Sequence, residues 1–114
     1  MSERPQLLYC QDILESGAAI LSYVQGITCD AFVQDRMRYS AVIREFEIIG
    51  EAVGKLSVEL KSGYPEISWQ DVKDFRNLLT HEYFGVDLEI VWNTVRDDLP
   101  MLLGAVQKIV TGIK

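Results

Sequence analysis

The chain has 114 residues, 48% hydrophobic and 25% charged, a composition that excludes a disordered tail or a collagen-like rod and suits one domain with its own core. Lys and Arg number 11 against 17 Asp and Glu, a net charge of -6, which disfavours indiscriminate coating of nucleic acid but leaves room for a small basic site. Two cysteines, Cys10 and Cys29, are too few for a disulfide framework, and with one His in the chain a His/Cys zinc site is close to excluded.

The first residues, Met1-Ser2-Glu3-Arg4-Pro5, form no basic segment leading into an apolar run. The longest uncharged stretch, 16–29, is too short to span a bilayer. A soluble cytoplasmic protein with no membrane partner is the expectation.

Apolar residues recur with helical period, and no window alternates convincingly with period two. Leu7, Cys10, Leu14, Ala18, Leu21 and Val24 form a first stripe that ends near Gly26. Asp30 is placed to cap a second, longer helix whose stripe runs Val42, Phe46, Ile49, Val53, Leu56 and Leu60, with Ser62-Gly63 and Pro65 stopping it. Ser68 with Asp71 resembles a capping box, and Ile67 with Val72 makes a hydrophobic staple across it. That third helix runs through Val72, Phe75 and Leu79 toward Gly85. Asp87 caps a last region with Leu88, Val91, Val95, Leu99, Leu102, Val106 and Ile109 in register. Pro100 inside that pattern removes a hydrogen bond, and Asp97-Asp98 before it look like an N-cap, so a kink or short break is expected there. With no repeat or linker, the reading is all-α: one domain over 1–114, an antiparallel bundle of four to five helices.

Familiar chemical signatures are few. The glycines are scattered singly, so there is no phosphate-cradling loop, and there is no Gly-x-Ser-x-Gly elbow. Cys10 sits on an apolar stripe, where a small hydrophobe explains it. Glu47 and Glu51 share a helix face at the spacing of a carboxylate metal pair, but no Glu-x-x-His motif accompanies them. No metal or cofactor is expected.

One cluster remains, Arg76-Asn77-Leu78-Leu79-Thr80-His81-Glu82-Tyr83. Arg76 offers a planar, permanently charged fork for phosphate oxygens. His81 exchanges protons near neutral pH without a large shift. Asn77 is i, i+4 to His81, so its amide can hold one imidazole nitrogen, and Tyr83 adds a phenol. At ~100° per residue, Arg76 and His81 stand about 140° apart around the helix. A two-fold dimer would gather two of each around one phosphate. Other roles compete: His near a helix C-terminus is favourable through the dipole alone, Arg76 can pair with Asp74 or Glu82, and Tyr83 can be a half-buried anchor. Arg36, Arg38 and Arg44 are candidates to extend a basic RNA-binding patch, or else form a solvated face paired with Asp35 and Glu45.

The segment 67–99, with Trp69, Asp71-Val72-Lys73-Asp74-Phe75, Arg76-Asn77, His81-Glu82-Tyr83-Phe84-Gly85, Asp87-Leu88 and Val91-Trp92, closely resembles the HepT-like branch of the HEPN superfamily. So does Phe46-Glu47-Ile48-Ile49-Gly50-Glu51-Ala52. The resemblance implies a HEPN-like helical bundle and the toxin of a type II toxin–antitoxin pair, acting as a metal-independent ribonuclease in a homodimer. It implies that Arg76 neutralises the scissile phosphate, Asn77 orients the His or the phosphate, and His81 serves as general acid or base. It implies as partners an RNA substrate and a minimal nucleotidyltransferase antitoxin that transfers AMP to Tyr83. The alternatives are a non-catalytic HEPN dimer that presents nucleotide or substrate to such a transferase, and a purely structural helical dimer.

Overall fold

Four long helices carry the core: α1 (Gln6–Tyr23), α3 (Arg36–Lys55), α5 (Trp69–His81) and α7 (Leu99–Ile113). The computed structural model describes residues 4–81 and 85–113. Short helices α2 (Cys29–Gln34), α4 (Val58–Ser62) and α6 (Leu88–Asn93) connect the long ones, and the described residues contain no strand. The molecule is the all-α, HEPN-like bundle expected. No helix among the described residues is long and apolar enough to cross a membrane.

Capping side chains divide the stretch that the apolar stripe alone reads as one long helix. The Thr28 hydroxyl accepts from the Ala31 N–H and starts α2, with Asp30 in its first turn rather than at its cap. Asp35 breaks away (φ -104, ψ 90) and its carboxylate accepts from the Arg38 N–H at 3.1 Å, starting α3. Ser57 likewise accepts from the Leu60 N–H at 3.2 Å and starts α4, so Leu60 lies outside α3. Each cap satisfies an N–H that has no partner within its own helix.

The inward face of α1 is rotated from the expected one. Cys10, Ile13, Ser16, Gly17 and Ile20 are buried, whereas Leu21 is 42% exposed and Ala18 is exposed. Over residues 17–21 the helix has no polar side chain on any face, and its small residues decide the contact. A Cβ on Gly17 would stand 2.4 Å from Leu103 Cδ2, so the Leu103 side chain of α7 packs in the space that glycine leaves. The α3 stripe is as expected, with Val42, Phe46, Ile49 and Val53 all buried.

Polar clamps fix how α1 lies along α3. At one end Gln6 donates to the Lys55 carbonyl (3.1 Å) and accepts from the Ser57 N–H (2.7 Å). At the other the Tyr23 hydroxyl donates to Glu45 (2.9 Å) and Arg38 donates to the Tyr23 carbonyl. The two helices therefore run antiparallel.

Pro100 produces neither a break nor an N-cap at Asp97-Asp98. Residues Thr94–Asp98 form a π-helical turn that leads straight into α7, with Leu99 still helical (φ -59, ψ -44). Proline has no N–H and its ring crowds the carbonyl four residues back, and a widened turn there relieves both problems.

Candidate active site

Helix α5 lies at the margin of the bundle. Leu79 is its one buried residue, while Val72 and Phe75 are half-buried, so most of its circumference faces water. The polar cluster of α5 therefore stays accessible.

Arg76 is held against α3 by backbone proximity. A Cβ on Gly50 would fall 2.2 Å from Arg76 Cβ and 2.5 Å from its Cγ. The missing side chain at Gly50 thus makes the slot in which the Arg76 stem lies. The guanidinium emerges with its side chain 35% exposed. Its Nη1 donates to Asn77 Oδ1 at 3.0 Å, and its Nη2 stands 3.7 Å from Glu51 Oε2. One turn on, the Thr80 hydroxyl donates to Glu47 Oε2 at 3.1 Å. Glu47 and Glu51 on α3 thus meet Thr80 and Arg76 on α5 in antiparallel order.

These contacts revise two expectations. Among the described residues the carboxylate beside Arg76 comes from α3, whereas Asp74 accepts from Gln70 (2.9 Å) within α5, and Glu82 lies outside the described residues. The Asn77 amide oxygen serves Arg76, not the imidazole of His81. Glu47 and Glu51, spaced like a metal pair, are engaged with α5. Gly50 and the two glutamates lie in a stretch whose resemblance was noted without assigning them a role. An i, i+4 carboxylate pair opposite an i, i+4 Arg/Thr pair is the signal that could have found them.

His81 is exposed at the end of α5 and does not meet Arg76 within one chain's described contacts. Tyr83 lies outside the described residues. The three arginines of α3 separate. Arg38 is bound to Asp35 (3.1 Å) and to the Tyr23 carbonyl. Arg36 is exposed at the start of α3, about 20 Å of helix from Gly50. Arg44 is exposed and lines a recess of about 250 Å³ that also includes Glu51.

A larger groove of about 360 Å³ runs between Phe46, Phe75, Leu99 and Leu102, and Glu66, Asp71 and Asp98 also line it. Its carboxylates repel phosphate.

The described helical bundle thus presents Arg76, Asn77 and His81 on the last two turns of an edge helix, with the arginine stem seated in a glycine slot. A family model described as ribonuclease HepT-like matches residues 13–109, and the chain belongs to that family. It is similar to "Probable ribonuclease HepT" of Thermococcus cleftensis, 39% identical over 89% of this chain and 92% of that protein. Two proteins of Methanocaldococcus jannaschii, both named as "Putative RNase", are also similar. One is 34% identical over 90% of this chain and 94% of its own length, the other 32% over 100% and 94%. No solved structure matches the chain.

Proposed function

We propose that this protein is a metal-independent endoribonuclease, the toxin of a type II toxin–antitoxin pair acting in the cytoplasm as a homodimer. The observation that carries the reading is the seating of Arg76 in the Gly50 slot, with its fork half-exposed, in a chain of the ribonuclease HepT-like family. A fixed guanidinium is suited to the charge that builds on phosphate oxygens in the transition state. Asn77, bonded to that guanidinium, holds its plane.

His81 moves the protons. The RNA 2′-hydroxyl attacks phosphorus and gives its proton to one imidazole. The P–O2′ bond forms, the P–O5′ bond breaks, and the departing 5′-oxygen takes a proton from a second imidazolium, leaving a 2′,3′-cyclic phosphate. A second copy of α5 across a two-fold axis supplies the second His81 and a second Arg76. The wide angle between Arg76 and His81 around one helix supports this composite cleft. A nucleotidyltransferase antitoxin silences it by transferring AMP to Tyr83, which adds bulk and negative charge to the motif.

The test is cleavage of single-stranded RNA by purified protein with EDTA present, beside folded Arg76→Ala and His81→Ala variants. Cleavage should resist EDTA and fall at least about a hundredfold in each variant. Activity that survives His81→Ala, or that EDTA abolishes, would overturn the reading. With the cognate transferase and ATP, intact mass should rise in AMP-sized steps that Tyr83→Phe prevents.

A further inference from the structure

The recess between α1 and α3 has no part in the chemistry described so far, and three cationic side chains and a tyrosine are among the residues that line it. Its volume, about 250 Å³, falls just below the ~300–1,000 Å³ of pockets for drug-sized ligands, a size for one base with its sugar. Ala52 and Ile48 lie along its α3 side. On its α1 side the Arg4 guanidinium lies over the Tyr9 ring, 5.0 Å from the centroid, and is held there by Asp12 at 2.5 and 3.3 Å. A guanidinium fixed on an aromatic ring is a planar platform of the kind on which unstacked bases lie.

Charge reinforces the shape. The Arg4–Asp12 pair cancels, and Glu51 is set against Arg76. That leaves Arg44 and Lys55, neither of which has a carboxylate partner among the described residues. They stand 11 residues apart on α3, three turns and about 16 Å along one face. Arg76 reaches the same edge between them, through Glu51. Glu51 is 67% exposed and only 3.7 Å from the guanidinium, so it can turn away when a phosphate arrives.

We propose that this recess is the subsite for the nucleotide adjoining the scissile phosphate, with its base on the Arg4–Tyr9 platform and the flanking phosphates on Arg44 and Lys55. Single-stranded RNA then follows the α3 edge past Arg76. The proposal rests on the ribonuclease reading and gives it a substrate class, an unpaired strand with one base turned into the protein.

An uncleavable probe separates the two ideas. Anisotropy of a labelled 2′-O-methyl octaribonucleotide is followed over a salt series with wild type, Arg44→Gln/Lys55→Gln, Tyr9→Ala and Tyr9→Phe, each verified as folded by circular dichroism. Loss of two phosphate contacts should lower the salt slope by about 1.4, at ~0.7 per contact on a single strand. Tyr9→Ala should weaken binding about fivefold to a hundredfold through lost stacking, and Tyr9→Phe should recover most of that. Unchanged slope and affinity in the double variant, or a wild type that does not bind the probe, would overturn the subsite. Wild-type cleavage with unaltered binding by the variants removes the subsite and leaves the ribonuclease. Weakened binding by the variants with no wild-type cleavage leaves the subsite and removes the ribonuclease.

Discussion

Replacing Gly50 by alanine tests the slot that seats Arg76. The added Cβ would lie 2.2 Å from Arg76 Cβ and 2.5 Å from Cγ, where carbon–carbon contact is comfortable only near ~3.5–4.0 Å. Those atoms are at the root of the side chain, so a rotamer change cannot relieve the clash. Helix α5 must move off α3 by roughly 1.5 Å at this point. Overpacking of this kind costs about 1–3 kcal/mol, offset by ~1 kcal/mol because alanine favours the helix over glycine. The net is ~0–2 kcal/mol of destabilisation, a fall in melting temperature of anything up to about 15 °C. Gly54→Ala on the same helix is the control. Its new Cβ meets nothing nearer than the flexible Lys73 Cε at 3.9 Å, so it should gain stability of up to ~1 kcal/mol. Thermal unfolding by circular dichroism compares the two, and RNA cleavage reads the displacement of Arg76, for which a shift of ~1 Å can cost about a hundredfold. Gly50→Ala that melts no lower than Gly54→Ala and cleaves at the wild-type rate would refute the reasoning.

Other outcomes follow from the packing and caps. Phe32 is fully buried, with its ring centroid 5.4 Å from Trp92 and 6.4 Å from Tyr39. Phe32→Ala should cost about 3–5 kcal/mol, read as an earlier midpoint in urea, and a loss under 1 kcal/mol would contradict this packing. The Asp35 carboxyl is held below its ordinary pKa, chiefly by the Arg38 backbone N–H it caps and then by the Arg38 side chain. Because its folded pKa is depressed, its contribution is present above the unfolded value of about 3.9 and is lost as pH falls through the folded one. Asp35→Asn should therefore melt lower than wild type at pH 7, and the gap should close below about pH 4. Burial pushes the Cys10 thiol up, and burial followed by Glu89, Asp30 and Asp87 pushes Cys29 up. Both should resist iodoacetamide at pH 7. Above about pH 9 Cys29, which is partly exposed, should label first, and rapid labelling of Cys10 in the folded protein would contradict its burial.

The sequence by itself determined the class of fold, because a 3.6-residue period in Val42, Phe46, Ile49 and Val53, and again from Val91 to Ile109, admits only helices with one face inward. It also placed the candidate groups Arg76, Asn77 and His81 on one helix, since residue type and spacing along one helix are local properties. Capping was legible only in part: Asp87 caps α6 as read, accepting from the Glu89 N–H at 2.9 Å. Thr28 and Asp35, which divide the middle of the chain, were hidden because Asp30 between them is an equally good capping residue type, and Ser57 because the apolar stripe continues across it from Val53 to Leu60. Tertiary structure alone decided which face of α1 turns inward, because residues 17–21 carry no polar side chain to mark an outer face and Gly17 yields to Leu103 only once α7 is in place. It decided as well that Arg76 is steered by Gly50 and Glu51, residues about 25 positions earlier, rather than by Asp74 on its own helix. Contacts between helices depend on how two surfaces interlock, and periodicity along either one does not encode that register.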